Sequence, residues 1–134
     1  MIISGNKIHN KGVKELAKAL QGWKVSIRSL DISHCGFNKN GFQPLIKTLS
    51  CIHHLRKIVL DGNNFNNLCD VTSQQSSSVL GLMCRKLTTL SMNDCHLNDE
   101  AILTLSKAVW TSWTMKYLYL AKNHIGDVGA IEIA

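Results

Sequence analysis

Several features that mark whole classes of protein are scarce or missing in this sequence. Its 134 residues contain a single proline, which argues against a disordered chain. No apolar run approaches the roughly 18 residues that a membrane-spanning helix needs. The N-terminal residues lack the basic segment and apolar core of a signal peptide, and no Asn-x-Ser/Thr site for N-glycosylation occurs. We therefore expect a folded cytoplasmic protein without a membrane association.

The cysteine content also argues against a secreted protein. Five cysteines, an odd number, cannot all form disulfides within one chain. Cys51, Cys69 and Cys84 show no paired spacing. Cys35 and Cys95 fall at positions that we expect to be buried, where the thiols should stay reduced and inert. The pattern favours a reducing, intracellular setting.

The motifs of common enzyme classes are missing as well. There is no G-x-S-x-G, no phosphate-binding glycine loop and no H-E-x-x-H. The best metal candidate is Cys51-Ile-His53-His54, but no second ligand pair at zinc spacing accompanies it. We expect no catalytic residue, no cofactor and no metal, and therefore a protein that is not an enzyme.

Charge of negative sign is also scarce. Nine Asp and Glu residues stand against 15 Lys and Arg, which gives a net charge of +6 and a pI near 9.2. Such an excess attracts phosphates, but no nucleic-acid motif occurs and aromatic residues for base stacking are few. Several lysines also fall on predicted helices, away from the basic row described below. An acidic protein surface is favoured over nucleic acid as the partner.

What is present is a repeat. The stretch from Met115 to Gly129 follows the pattern L-x-x-L-x-L-x-x-N-x-L and then G-x-x-G. Leu118 and Leu120 alternate as in a short strand with one buried face. Asn123 comes where the chain turns away, and its amide can satisfy backbone groups that the turn leaves unpaired. One such unit cannot bury its own apolar face and needs copies stacked beside it.

Further copies of this pattern precede it along the chain. With Met115 as position 1 of its repeat, the same frame fits three complete copies and an incomplete one at the N-terminus. The position-9 residues, 28 to 32 residues apart, are Asn6, Cys35, Asn63, Cys95 and Asn123. Positions 4 and 6 should form one continuous core from Leu30, Ile32, Ile58, Leu60, Leu90, Met92, Leu118 and Leu120.

Between the predicted strands, apolar residues recur at helical spacing. The three sets are Val13, Leu16, Ala17 and Leu20; Phe42, Leu45, Ile46 and Leu49; and Ile102, Leu105 and Val109. Pro44 should fall early in the second helix, where a missing N–H is tolerated. Each unit thus carries a strand and a helix, and the helix should pack behind the sheet.

The alternation of Asn and Cys at position 9, in repeats near 28 residues, resembles leucine-rich repeats of the ribonuclease-inhibitor type. Such repeats occur in ribonuclease inhibitor and in NOD-like receptors. The resemblance implies an α/β solenoid, a horseshoe with a parallel sheet on its concave face and helices on its convex face. We expect residues 1–134 to form a single array of about five repeats, both terminal ones truncated. We expect repeat three to carry an insertion near residues 66–78, which is a tolerated loop, an interaction loop or a phosphorylatable serine patch.

The repeat frame also predicts a candidate binding surface. Positions 2, 3, 5, 7, 8 and 10 should point away from the core, with equivalent positions side by side. Position 2 gives a basic row along the strand starts, and two tyrosines add side chains that are common in binding hot spots. An ordinary solvated sheet face is the alternative. The candidate partner-binding residues are Arg28, Asp31, His34, Arg56, Lys57, Asp61, Asn93, Asp94, Lys116, Tyr117, Tyr119 and Lys122.

The resemblance implies a protein-interaction or scaffold module of a larger intracellular leucine-rich-repeat protein, with its partner on the concave strand face. One alternative is the regulatory or ligand-sensing repeat region of a NOD-like receptor. Another is a GTPase-activating protein of the Ran type. Arg28, Arg56 and Arg85 lie at or just before predicted strand starts instead of on the strand-to-helix side, which disfavours the GTPase activator. Fold alone does not decide among these functions, nor does it fix the oligomeric state.

Overall fold

The computed structural model describes residues 1–22, 26–66, 68 and 80–134, and these form strands and helices in alternation. The elements are α1 (His9–Gly22), β1 (Ser29–Asp31), α2 (Lys39–Ser50), β2 (Lys57–Val59), β3 (Thr89–Ser91), α3 (Asp99–Trp110), β4 (Tyr117–Tyr119) and α4 (Asp127–Ile133). Residues 80–84 form a further helical turn. The predicted insertion at residues 66–78 lies almost entirely outside the described residues.

The four strands form one parallel sheet in the order of the sequence, β1-β2-β3-β4. The register aligns equivalent repeat positions, so that Leu30 pairs with Ile58, Ile58 with Leu90 and Leu90 with Leu118. Ile2 adds an isolated parallel bridge beside β1. Because a slip by one residue would turn each buried leucine or isoleucine to solvent, burial of the central residue fixes this register. The predicted α/β leucine-rich-repeat fold is confirmed.

The core lies between the sheet and the helices. Leu30, Ile58 and Leu90 at the strand centres are fully buried, together with apolar residues of α1, α2 and α3. Leu118 and Leu120 are only half-buried, although they pack against the same cluster. The predicted continuous core is therefore present, and it is thinnest at β4.

Asparagine and cysteine at position 9 bond adjacent repeats to each other. The Oδ1 atom of Asn63 accepts the backbone N–H of Cys35 at 3.1 Å. Its Nδ2 donates to the carbonyls of Ile32, in the preceding repeat, at 3.0 Å and of Leu60, in its own, at 2.8 Å. Cys35 in turn donates its thiol to the Ile3 carbonyl at 3.3 Å. The predicted role of asparagine in satisfying backbone groups of the turn is confirmed.

Asn123, the last asparagine in this series, repeats the arrangement of Asn63. Asn123 accepts the backbone N–H of Cys95 at 2.9 Å and donates to the carbonyls of Met92 and Leu120, both at 2.8 Å. The Cys95 thiol in the same repeat position lies 3.4 Å from the Leu60 carbonyl of the preceding repeat and 3.3 Å from the Asn93 carbonyl of its own.

Two helix details differ from the predicted ones. α1 begins at His9, four residues before Val13, the first of the predicted apolar residues, and His9 itself has a left-handed φ of 53°. Pro44 is the sixth residue of α2, deeper than predicted, and cannot donate to the Asn40 carbonyl. The helix nevertheless continues, because Asn38 caps its start with a 2.9 Å hydrogen bond to the Asn40 N–H and its apolar face is buried.

Lys86 joins the end of α2 to the chain that precedes β3. Its ammonium donates to the carbonyls of Leu49 at 3.3 Å and Ile52 at 3.0 Å, and also to that of Ser50. Burial lowers the pKa of Lys86, whereas carbonyls at a helix C-terminus favour the charged ammonium. Lys86 thereby caps a helix of the repeat before its own.

Candidate functional site: the strand face

The sheet presents one side to the helices and the other to solvent, and we call the solvent side the strand face. Since side chains alternate along a strand, the residues on either side of each buried central residue point to this face. Their rows follow the register: Ser29, Lys57, Thr89 and Tyr117 at position 3, and Asp31, Val59, Ser91 and Tyr119 at position 5. Residues 28 or more positions apart thereby become neighbours.

The predicted basic row lies just before these strands. The Arg56 N–H donates to the Arg28 carbonyl at 2.8 Å, the Thr88 N–H to the Arg56 carbonyl at 2.8 Å, and the Lys116 N–H to the Thr88 carbonyl at 2.9 Å. The side chains of Arg28, Arg56 and Lys116 are exposed, as is that of Lys57. Four cations therefore lie along the strand starts, and Thr88 interrupts the row between Arg56 and Lys116.

Arg56 is held more firmly than a free surface arginine. Its Nη1 donates to the carbonyls of His53 and Leu55, each at 2.9 Å. These two bonds tie the guanidinium to the turn before β2 and leave the remaining N–H groups to face solvent. Arg56 therefore serves the turn as well as the basic row.

Tyr117 and Tyr119 extend from β4 with exposed fractions of 56% and 49%. Both rings leave the strand on the same side, beside Thr89 and Ser91 respectively. An exposed aromatic pair on a fixed strand provides contact area at a low cost in side-chain entropy. These tyrosines are the largest apolar groups of the strand face.

The acidic and amide residues among the candidates form hydrogen bonds within the chain. The carboxylate of Asp61 accepts the Ser91 hydroxyl at 2.7 Å, and the Asn93 backbone N–H and side-chain amide at 2.9 and 3.1 Å. Asn93 Oδ1 also accepts the Ala121 N–H at 2.7 Å. We call Asp61, Ser91 and Asn93 the polar network. It joins three adjacent strands.

A smaller arrangement of the same kind surrounds Asp31, whose Oδ1 accepts the backbone N–H and hydroxyl of Ser33 at 3.0 and 2.7 Å. Ser33, at position 7, and Ser91, at position 5, are buried although the frame directs both positions away from the core. Their short hydroxyls lie beneath the carboxylates that they bond. A serine two residues after an aspartate is the sequence signal for Ser33, whereas no local signal marks Ser91, whose aspartate lies 30 residues earlier.

The remaining three candidates form the turn that follows the strands. His34, Asp94 and Lys122 are exposed and have left-handed φ angles of 52°, 53° and 57°. Gly62 takes the equivalent place in its repeat, with φ of 68°, and the His34 ring lies directly over it. The turn therefore fixes these residues at one end of the strand face.

Other candidate chemistries have little to support them in the described part of the chain. All six histidines are exposed, and within the described ranges no three His, Cys, Asp or Glu side chains are grouped as metal ligands. His96 and His124 stack with ring centroids 5.7 Å apart. No helix in the same ranges is both long and apolar enough to cross a membrane.

Comparison with known proteins agrees with this architecture. A family profile described as Leucine Rich repeat matches residues 2–17, 25–45, 84–106 and 112–134. Human NACHT, LRR and PYD domains-containing protein 5 is 26% identical over 95% of this chain and 10% of its own length. Ribonuclease inhibitors of Mus musculus and Sus scrofa are 26% and 22% identical over 97% and 98% of this chain, and 28% of their own length.

The chain thus spans between 10% and 28% of the length of these relatives. The family profile covers more than half of the chain, and its segments fall on the strands and helices described above. The chain belongs to the leucine-rich repeat family, and its repeats are of the ribonuclease-inhibitor type.

Proposed function

We propose that this chain is a non-enzymatic protein-binding module whose partner docks on the strand face. The observation that carries this proposal is the alignment of exposed cations at the strand starts with two exposed tyrosines on β4. Extended repeat surfaces of this kind meet a partner at many points at once. The tyrosines can become desolvated anchors, while the cations guide approach.

The partner that fits this surface carries an acidic patch. Arg28, Lys57 and Lys116 make no ion pair in the described part of the chain. Asp31 and Asp61 reduce the positive charge farther along the strands, and the hydrogen bonds that engage them leave them less free for a partner. The attraction is therefore strongest along the strand starts, where an acidic surface gains most.

The relatives support a role in binding other proteins. Two of them are named as inhibitors of a ribonuclease, a name that describes binding to an enzyme. Others carry NACHT and PYD domains beside their repeats, and this favours a second candidate, the regulatory repeat region of such a receptor. Both candidates place the chain inside the cell, in agreement with its free cysteines.

The test is charge reversal on the strand face, with a partner recovered by affinity purification on the wild-type chain. The variant Lys57→Glu/Lys116→Glu should slow association by roughly tenfold at low salt and flatten its salt dependence, because exposed charges act mainly on encounter. The matched control, Lys11→Glu/Lys107→Glu, makes the same charge change on α1 and α3. Equal slowing by both pairs, or by the control pair alone, would place the partner away from the strand face.

A further inference from the structure

A second surface lies on the opposite side of the molecule, between α1 and α2. The two helices enclose an open groove of about 480 Å³. Its lining combines lysine and amide side chains with the small apolar groups of Ala17 and Pro44. Neither the strand-face proposal nor the core accounts for this groove. We call it the helix groove.

The charge of the helix groove is of one sign. Lys14, Lys18 and Lys47 line it, and no acidic residue does. Lys18 pairs with Glu15 at 2.8 Å, but both side chains are more than half exposed, so water screens the pair. In the described part of the chain, neither Lys14 nor Lys47 has an acidic partner. A ligand with several negative charges would meet three lysines. Two of these, Lys14 and Lys47, have no acidic side chain within the described residues that competes with the ligand.

One hydrogen bond between the helices joins the two groove walls. Gln21 on α1 donates to the Thr48 hydroxyl on α2 at 3.0 Å, and that hydroxyl donates to the Pro44 carbonyl at 3.2 Å. Asn40 and Gln43 contribute further amides to the lining. Side-chain amides of this kind can bond the backbone of an extended peptide.

We propose that the helix groove binds an acidic, extended peptide segment. Glutamate or aspartate side chains contact Lys14 and Lys47, while the peptide backbone bonds the groove amides. The absence of any aromatic ring from the lining favours a peptide over single-stranded nucleic acid, whose bases stack on such rings. The module thereby has two binding surfaces, one on each side of the sheet, and can hold two partners at once.

The experiment uses a fluorescein-labelled synthetic peptide in which glutamate alternates with serine. A length of about eight residues spans about 26 Å when extended, enough to cover α1. Binding is followed by fluorescence anisotropy at low salt. Lys14→Glu/Lys47→Glu should weaken binding by roughly tenfold, since two exposed charges are reversed, and the matched strand-face pair Lys57→Glu/Lys116→Glu should weaken it far less. Gln43→Trp fills the groove without a change of charge and should also weaken binding.

Three results would overturn the proposal. If both pairs of lysine substitutions weakened peptide binding equally, binding would depend on the net charge of the protein alone. Unchanged binding to Gln43→Trp would mean that the groove itself is not occupied. Tighter binding of an oligothymidine of the same length, lost in Lys14→Glu/Lys47→Glu, would make the groove a nucleic-acid site. None of these results depends on the strand-face partner, so the two proposals fail separately.

Discussion

Asn63 shows how a single residue of the repeat pattern stabilises the fold. It is 2% exposed, and its amide bonds the backbone of two adjacent repeats through both its oxygen and its nitrogen. The repeat frame places an asparagine at position 9. The sequence alone therefore identifies a residue that joins two repeats.

Replacement of Asn63 by alanine should destabilise the chain by about 2–4 kcal/mol. The reason is that the Cys35 N–H and the Ile32 carbonyl lose their partner in the interior, where unsatisfied groups are costly, while the Leu60 carbonyl keeps only the Cys95 thiol. Urea unfolding of the two proteins measures the difference. Asn40→Ala, on the exposed start of α2, is the control and should change the free energy of unfolding by less than about 0.5 kcal/mol. A similar, small effect of both substitutions would contradict the bridging role.

The cysteines should differ sharply in reactivity. Burial raises the pKa of Cys84 and of Cys95 to about 12 and also raises the pKa of the Cys35 thiol, so little thiolate forms at pH 8. Cys51 is exposed at the end of α2. In a Cys69→Ser background, a thiol reagent at pH 8 should label one cysteine quickly, and peptide mapping should identify Cys51. Rapid labelling of Cys35 or Cys95 in the folded protein would contradict this, because it would show that thiols at position 9 are accessible to the reagent.

Some features of single residues could not be predicted from the sequence. The burial of Ser91 depends on Asp61, which lies 30 residues earlier and reaches it only because β2 and β3 are adjacent. The fixed guanidinium of Arg56 depends on the path of the turn before β2. Periodicity identifies which residues share a row, but it carries no information about hydrogen bonds between rows.

At the scale of elements, the strands are the most predictable part of the fold. Their central residues repeat with the frame and are fully buried at Leu30, Ile58 and Leu90. Helix boundaries were predicted less well, because caps and tertiary packing decide them. α1 begins at His9, and α2 tolerates a proline at its sixth residue because its buried face holds it in place.

Leu90→Ala should cost roughly 2–5 kcal/mol of unfolding free energy. The leucine is fully buried at the centre of β3, between Ile58 and Leu118, and its removal leaves a cavity that neighbouring strands cannot fill. Denaturant titration supplies the value. Leu103→Ala, at a position 39% exposed on α3, is the comparison and should cost clearly less. A loss below about 1 kcal/mol for Leu90→Ala would mean that the repeat frame is misplaced.

At the scale of the whole molecule, stacking converts a pattern in sequence into two surfaces of different character. The strand face could be outlined from the repeat frame, because every repeat contributes the same positions to it. The helix groove could not, since it depends on how Gln21 and Thr48 bring α1 and α2 together. Lys14, Lys18 and Lys47 appear in the sequence only as separate charges on separate helices.

The most direct test of the central claim is hydroxyl-radical footprinting of the chain with and without its recovered partner. Oxidation of Tyr117 and Tyr119 is compared with that of Trp113, which is 96% exposed and lies before β4. Binding on the strand face should protect both tyrosines several-fold and leave the oxidation of Trp113 unchanged. Full oxidation of both tyrosines in a saturated complex, with protection confined to Trp113 or to the helices, would contradict the strand face as the binding surface.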